Sequence, residues 1–236
     1  MTVIMTGCNT HNSDSQLKIN AKYLQKDIND LWDFNNPAWQ KTSMYPFLPA
    51  GTRCPTVLSE GGVVRFLWNE DYLWIMADMK DSDIVQECDQ DNRHHYQTGD
   101  VLEIFIRPAR HDWYWEFYAT PNGHKTVFSY PSGGRRLPSC LLPSGMPDHQ
   151  IKIELHGTLN NMSDRDNGWC CIVAIPLKEL REKCPLDFSI PWMVQVARYN
   201  YSVYLQKTEY SILGRTTSLD PDFHCFSSYA LLYFDK

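Results

Sequence analysis

Short runs in which apolar and polar residues alternate, separated by turn residues, most limit what this chain can fold into. Alternation with a period of two is typical of β-strands that bury one face. Residues 63–68 and 72–78, joined by the polar turn 69–71, predict a β-hairpin. The other predicted strands are 101–107, 113–120, 124–130, 150–157, 169–175, 192–200 and 229–234, and the one predicted helix is 177–183. Many short strands with a single short helix predict an all-β fold, an antiparallel β-sandwich of the immunoglobulin-like or jelly-roll type.

The chain of 236 residues has no linker rich in Pro, Gly or Ser and no internal repeat. We therefore predict one domain over 20–236, preceded by a disordered N-terminal segment at 1–19. The first residues end in Gly7-Cys8, which is similar to the lipobox of bacterial lipoproteins. A complete signal needs an apolar stretch of about 7–15 residues, and only 3–5 supply one. Two readings stay open: a truncated signal, with a lipid on Cys8 and an extracytoplasmic, membrane-anchored location, or a chance Gly-Cys pair.

Composition and charge exclude several classes of function. The net charge of −6, with Lys and Arg scattered along the chain, argues against a nucleic-acid-binding protein. No stretch approaches the roughly 18 consecutive apolar residues of a membrane-spanning helix. The eight cysteines include no C-x-x-C pair, which argues against a structural zinc site.

Alternation also assigns side chains to the two faces of the predicted sheet. In 101–107 the even positions form an apolar row, which places Glu103 on the opposite face. In 113–120 the odd positions form the apolar row, which places Glu116 and Tyr118 opposite it. If the two strands pair, both carboxylates share one face with tyrosine rings. Carboxylates among aromatic rings suit the binding of a polyol.

Several motifs in a fixed order resemble carbohydrate-binding module family 9 and its DOMON-like relatives. They are 64–78 (VRFLWNEDYLWIMAD), 80–83 (KDSD) and 96–106 (YQTGDVLEIFI). They are followed by PNG at 121–123, GW at 168–169, AIPL at 174–177 and FH at 223–224, and the earlier NPAWQKT at 36–42 is similar to the opening segment of that family. The resemblance covers about 30–234 and implies a β-sandwich that binds polysaccharide or oligosaccharide without catalysis. It further implies a role in carbohydrate catabolism, often beside a glycoside hydrolase.

The resemblance also implies which residues contact the sugar. Tyr96 stands where the family has its first clamping Trp, Glu103 matches the ligand-binding carboxylate, and Gln195 matches a strand amide. Glu116 occupies a polar position, and Tyr118 replaces a basic residue of the family. The second clamping Trp is missing, because 211–216 (SILGRT) contains no aromatic residue. We therefore expect a one-sided aromatic platform that binds more weakly or binds a different ligand.

The resemblance also implies calcium as a cofactor. Asp81, Asp83 and Asp100 would supply oxygen ligands, the kind that calcium prefers. The competing interpretation is a solvated acidic turn, since no Gly-centred calcium loop accompanies these residues.

Two other functional classes stay open at this point. Glu103 and Glu116 could act as a glycoside hydrolase pair if their carboxyls were about 5–5.5 Å or about 6.5–9.5 Å apart across a scissile bond. Some DOMON-like relatives instead bind haem between a Met and a His or Lys and transfer electrons. The residues available for haem are Met76, Met79, His94, His95 and His224.

Overall fold

The structure, a computed structural model, describes residues 16–25, 30–131, 147–187 and 189–236. The predictions for the first fifteen residues, including the lipid on Cys8, concern residues outside this range. The helices and strands are β1 (Lys18–Tyr23), α1 (Pro37–Gln40), β2 (Tyr45–Pro46), β3 (Leu48–Pro49), β4 (Gly62–Trp68), β5 (Tyr72–Met79), β6 (Val101–Arg107), β7 (Tyr114–Ala119), β8 (Lys125–Tyr130), β9 (Gln150–His156), β10 (Gly168–Pro176), α2 (Leu177–Lys183), β11 (Trp192–Asn200), β12 (Glu209–Ile212) and β13 (Ala230–Asp235).

All of these strands belong to one mixed sheet. Its main path runs β8-β7-β6-β11-β13-β1-β4-β5-β10-β9, with β12, β2 and β3 paired at its sides. The predicted all-β class is confirmed. The strictly antiparallel arrangement is wrong, because β1 lies between β13 and β4 and is parallel to both. The sheet continues through β1 instead of dividing into two.

The main core lies on the inner side of the curled sheet. Leu102, Ile104 and Ile106 of β6 point into it with Trp115 and Phe117 of β7, and all five are fully buried. The alternation predicted for these strands is confirmed. Branched and aromatic residues at every second position form strands here because the sheet buries that row while its backbone groups pair with neighbouring strands.

Two further clusters cover the outer side of the sheet. One lies over β4, β5 and β10 and is centred on Trp39 of α1. The Asn36 side chain caps α1 by accepting a hydrogen bond from the backbone N–H of Ala38. The other cluster lies over β6, β7, β8 and β11 and contains Tyr114, Tyr118 and Phe105. This second outer face carries the candidate site.

The observed elements agree closely with most of the predicted ones. The bounds of β6, β11 and α2 match those predicted, and the hairpin is formed by β4 and β5. Strand β1 begins at Lys18, inside the segment predicted as disordered, and α1 is a second short helix that was not predicted. Trp68 and Trp192 belong to the main core and Trp74 to the cluster around Trp39. Within the described residues, no helix has the length and apolar character needed to cross a membrane.

Candidate functional site

A cavity of about 480 Å³ opens on the outer face of β6, β7, β8 and β11. Its floor is the sheet, one wall is the segment that leads into β6, and the other wall is the loop before β13. Four residues that the sequence predicted for the site line it together. The lining residues are His94, Tyr96, Gln97, Glu103, Glu116, Tyr118, Phe128, Tyr130, Tyr199, Pro221, Asp222, Phe223 and His224.

Two carboxylates lie at the floor of this cavity. Strand register places Glu103 opposite Tyr118 and Phe105 opposite Glu116, so the two glutamates are diagonal neighbours on adjacent strands. The Cα atoms of such diagonal neighbours are about 7–8 Å apart. Only 2% of Glu103 and 1% of Glu116 is exposed, and the Tyr130 hydroxyl donates a hydrogen bond to Glu116 Oε2. Both side chains therefore face the cavity from a nearly solvent-free floor.

The tyrosine hydroxyls around these carboxylates keep their protons. Burial, followed by the charges of Glu103 and Glu116, raises the pKa of Tyr118 well above its ordinary value. Burial and the charge of Glu103 also raise the pKa of Tyr199. Protonated hydroxyls can donate hydrogen bonds, so the floor offers both acceptors and donors to a ligand.

Stacked rings form the wall that leads into β6. The Tyr96 and Tyr199 rings stack with centroids 5.2 Å apart and an interplanar angle of 26°. Tyr96 lies in a short 3₁₀ turn, His95–Gln97, and its carbonyl accepts a hydrogen bond of 2.6 Å from the Tyr201 hydroxyl. His94 stacks on Phe128 of β8 with centroids 4.9 Å apart. His94 also contacts the Tyr96 ring edge-on, with centroids 5.7 Å apart, so Tyr199 and His94 both hold the Tyr96 ring in place.

The opposite wall is the loop that precedes β13. Phe223 contacts Tyr199 edge-on at 5.1 Å between centroids. The Tyr114 hydroxyl and His224 Nδ1 are hydrogen-bonded at 2.8 Å. None of 211–216, where the family resemblance places the missing Trp, lines the cavity. Aromatic side chains from a later loop thus line the side that was expected to lack them.

Gln195 does not line the cavity, although it lies on the same sheet face, opposite Phe105. It is fully buried, and its Oε1 accepts hydrogen bonds from the backbone N–H groups of Leu213 and Gly214. Its Nε2 donates to the carbonyl of Ser228 at 3.0 Å. The side chain therefore joins two loops to β11, and no part of the amide remains for a sugar.

The three aspartates predicted as calcium ligands are bound by protein donors. Asp81 Oδ2 accepts a hydrogen bond of 2.8 Å from Arg198 Nη2 in an ion pair whose side chains are both fully buried. Asp83 Oδ2 accepts from the backbone N–H of Val203, and Asp100 accepts from those of Val85 and Tyr201. Among the described residues, no three His, Cys, Asp or Glu side chains meet as a metal site. Because a guanidinium already neutralises Asp81, these residues do not fit calcium.

The two glutamates can be compared with the two roles considered for them, hydroxyl binding and hydrolysis. The neutral hydroxyl donors around Glu103 and Glu116 suit hydroxyl binding, while the diagonal spacing of the two residues also falls within the range of a hydrolytic pair, so the hydrolase alternative stays a prediction.

The residues considered for haem do not converge. Met76 packs in the cluster around Trp39 and Met79 in the main core, while His94 and His224 line the cavity. His95 is fully buried, with its Nε2 3.0 Å from the carbonyl oxygen of Gln90.

Several cavity residues were missed by the sequence reasoning. Alternation along β11 from Gln195 predicts Tyr199 on the same face, and alternation along β8 predicts Phe128 and Tyr130 there. These signals were available in the printed sequence. The loop residues Phe223 and His224 had no comparable signal, because no periodicity places a loop above a sheet.

Comparisons with known proteins bear on the fold. No family model matches the chain, and no curated protein matches it. Among solved structures, it is similar to a candidate carbohydrate-binding protein from Bacteroides uniformis, with 15% identity and a TM-score of 0.67 over 94% of this chain and 100% of that one. It is also similar to a family 9 carbohydrate-binding module from Caldicellulosiruptor kristjanssonii in complex with cellotriose, with 13% identity and a TM-score of 0.56 over 92% of this chain and 93% of that one. The complex of a family 9 module from that organism with glucose gives 12% identity and a TM-score of 0.56 over 92% and 95%. The fold is therefore that of carbohydrate-binding module family 9, as the sequence resemblance predicted.

Proposed function

We propose that this protein binds carbohydrate without catalysis, and that the cavity holds the end or a short segment of an oligosaccharide. One observation carries the proposal. Two nearly fully buried carboxylates, Glu103 and Glu116, lie side by side at the floor of a cavity of about 480 Å³ that is walled by aromatic rings. The volume falls in the range of about 300–1,000 Å³ that is usual for small-molecule sites.

The chemistry of the lining suits a sugar. The C–H face of a pyranose is apolar and packs on aromatic rings, while its hydroxyls form charge-assisted hydrogen bonds with carboxylates. Here the stacked pair of Tyr96 and Tyr199 offers the rings, and Glu103 and Glu116 offer the acceptors.

Structural neighbours support the same class of ligand. Two of the similar structures are family 9 modules in complex with cellotriose and with glucose. We infer that cello-oligosaccharides and glucose are the first compounds to test on this chain. The two Tyr rings here are smaller than Trp, so we expect modest affinity.

Isothermal titration with glucose, cellobiose and cellotriose, preceded by a glycan array, tests the proposal. Replacing Glu103→Gln keeps the shape of the side chain but removes its charge and one acceptor. We expect the affinity for the bound glycan to fall about 10- to 100-fold, as for the loss of a hydrogen bond to a charged group. Glu154→Gln is the matched control, because Glu154 lies exposed on β9, away from the cavity.

Equal affinities for Glu103→Gln and the unchanged protein would contradict sugar binding at this floor. Incubation with the bound oligosaccharide should also release no new reducing ends. Their appearance, and their loss in Glu103→Gln, would show that the glutamate pair hydrolyses the ligand instead.

We further propose that the protein works in carbohydrate catabolism beside a glycoside hydrolase, outside the cytoplasm and anchored by a lipid on Cys8. These proposals rest on the sequence resemblance and on the Gly7-Cys8 motif. Metabolic labelling with a fatty acid, compared between the unchanged chain and Cys8→Ser in a bacterial host, tests the anchor.

A further inference from the structure

A second concave region adjoins the cavity, and we call it the lateral groove. It has a volume of about 610 Å³ and is formed by parts of 53–60 and 204–210, by Arg165 and by 220–221. Pro221 lines both the cavity and the groove. The Tyr210 ring of the groove contacts the Tyr199 ring of the cavity edge-on, with centroids 5.1 Å apart. The two concavities therefore meet at a shared rim.

Exposed apolar side chains concentrate at this groove. The described part of the chain has six exposed large hydrophobic residues. Val57, which is 75% exposed, and Tyr204, which is 42% exposed, line the groove. Val203 and Leu219 are next to groove residues in the chain. Apolar side chains grouped around one concavity mark a binding surface more than scattered ones do.

The groove is lined by three cations, Arg53, Arg165 and Lys207, and by three carboxylates, Glu60, Glu209 and Asp220. Each carboxylate of its lining is already bound by a protein donor. Glu209 accepts from the backbone N–H groups of Ser59 and Glu60, Glu60 accepts from Ser82 and Asn200, and Asp220 pairs with Arg53.

Two cations of the groove, Arg165 and Lys207, have no carboxylate partner among the residues that the structure describes, and both are exposed. The Arg165 guanidinium lies over the Tyr204 ring, 5.0 Å from its centroid. The Tyr204 hydroxyl donates a hydrogen bond of 2.6 Å to the carbonyl of Asp164, which holds the ring at the rim. A ring and a guanidinium held together can bind a sugar face and a carboxylate at once.

We propose that the lateral groove binds acidic sugar residues, such as uronic acids. These residues would belong to the same oligosaccharide whose end enters the cavity. This inference rests on the proposed function. Arg165 and Lys207 would bind the sugar carboxylates, and Tyr204 would pack on a sugar ring. The protein then selects for longer, acidic oligosaccharides, although its own net charge is −6.

The test compares a uronic acid disaccharide, a uronic acid hexasaccharide and a neutral hexasaccharide by isothermal titration at low salt. We expect the acidic hexasaccharide to bind more tightly than either of the others. In the double variant Arg165→Met/Lys207→Met, its affinity should fall about five- to tenfold, while binding of the disaccharide is unchanged. The difference in affinity between the double variant and the unchanged protein should shrink at about 0.5 M salt, because exposed charges are then screened.

Lys152→Met is the matched control, since Lys152 lies on β9 and lines neither concavity. The inference is overturned if the acidic hexasaccharide binds no more tightly than the acidic disaccharide, or if the double variant binds it as tightly as the unchanged protein. Glu103→Gln separates the two proposals. If Glu103→Gln binds short sugars as tightly as the unchanged protein, the proposed function is contradicted. If Glu103→Gln loses short-sugar binding but the double variant binds the acidic hexasaccharide normally, only the proposed role of the lateral groove is contradicted.

Discussion

Arg198 supplies the positive charge of a buried polar network. Its Nη2 pairs with Asp81, its Nη1 donates to the carbonyl of Lys80 at 2.7 Å, and its side chain is fully buried. Burial raises the pKa of Asp81 to about 6, against the lowering effect of the guanidinium charge. The Arg198 guanidinium thus supplies the positive charge next to Asp81 that a bound cation would otherwise supply.

We expect Arg198→Met to lower the free energy of unfolding by about 3–5 kcal/mol, because it leaves the Asp81 carboxylate buried without its partner. Urea unfolding at pH 7 measures the change. The control is Arg53→Met, whose ion pair with Asp220 is 65% and 72% exposed, and it should cost under about 1 kcal/mol. Equal losses in the two variants would show that burial of the pair does not govern its contribution.

Strand β1 joins the two halves of the sheet. It pairs in parallel with β13 along Lys18–Lys22 and with β4 at Lys22 and Tyr23. Ile19 and Ala21 point into the main core and are fully buried, whereas Lys18 and Lys22 are exposed. The alternation of this strand is as regular as that of β6. This strand was not predicted, and its first two residues, Lys18 and Ile19, lie in the segment that was predicted as disordered.

Replacing Ile19→Ala should lower the free energy of unfolding by about 2–5 kcal/mol, since it removes buried methyl groups and leaves a cavity in the main core. Lys18→Ala, one residue away on the exposed side, should change it by under about 0.5 kcal/mol. Both are measured by chemical denaturation. A loss in Ile19→Ala as small as that in Lys18→Ala would mean that β1 contributes little to the core.

The two ends of the strand order, β8 and β9, approach each other around His149. Its Nε2 donates a hydrogen bond of 2.8 Å to the carbonyl of Tyr118, and Lys125 Nζ donates to the His149 carbonyl at 2.7 Å. Nδ1 is buried and has no hydrogen-bond partner among the residues that the structure describes. Burial lowers the pKa of His149 to about 4, because it disfavours the charged imidazolium.

This histidine makes stability depend on pH. Between pH 6.5 and about 4 the unfolded chain binds a proton at His149 that the folded protein does not, so its contribution of about 3 kcal/mol is present above pH 6.5 and lost as pH falls through that range. Asp81 acts with the opposite sign. Its pKa is raised in the fold, so its contribution is lost as pH rises through about 6.

The two effects are separated by comparing the unchanged protein with His149→Phe in urea titrations from pH 7 to pH 4. The difference in unfolding free energy between them should change by about 3 kcal/mol over this range, with the variant losing less on acidification. A difference that stays constant with pH would show that His149 titrates alike in the folded and unfolded chain.

Local periodicity was enough to identify nine of the thirteen strands that the structure describes and to place Glu103, Glu116 and Tyr118 on one face. Side chains on a strand alternate for reasons of backbone geometry alone, so which residues share a face can be inferred from a few neighbouring positions. The motif order likewise predicted the fold. The same reasoning would have placed Tyr199 and Tyr130 at the site.

The tertiary structure decided which distant segments of the chain contact those strand faces. Pairing of Arg198 with Asp81, closure of the loops onto Gln195, and the wall built by Phe223 and His224 each join segments far apart in the chain. The parallel pairing of β1 is of the same kind. Such contacts depend on how the whole sheet curls, because packing and desolvation act between segments that no short-range pattern relates. Alternation could therefore assign the floor of the cavity, and only the folded chain could supply its walls.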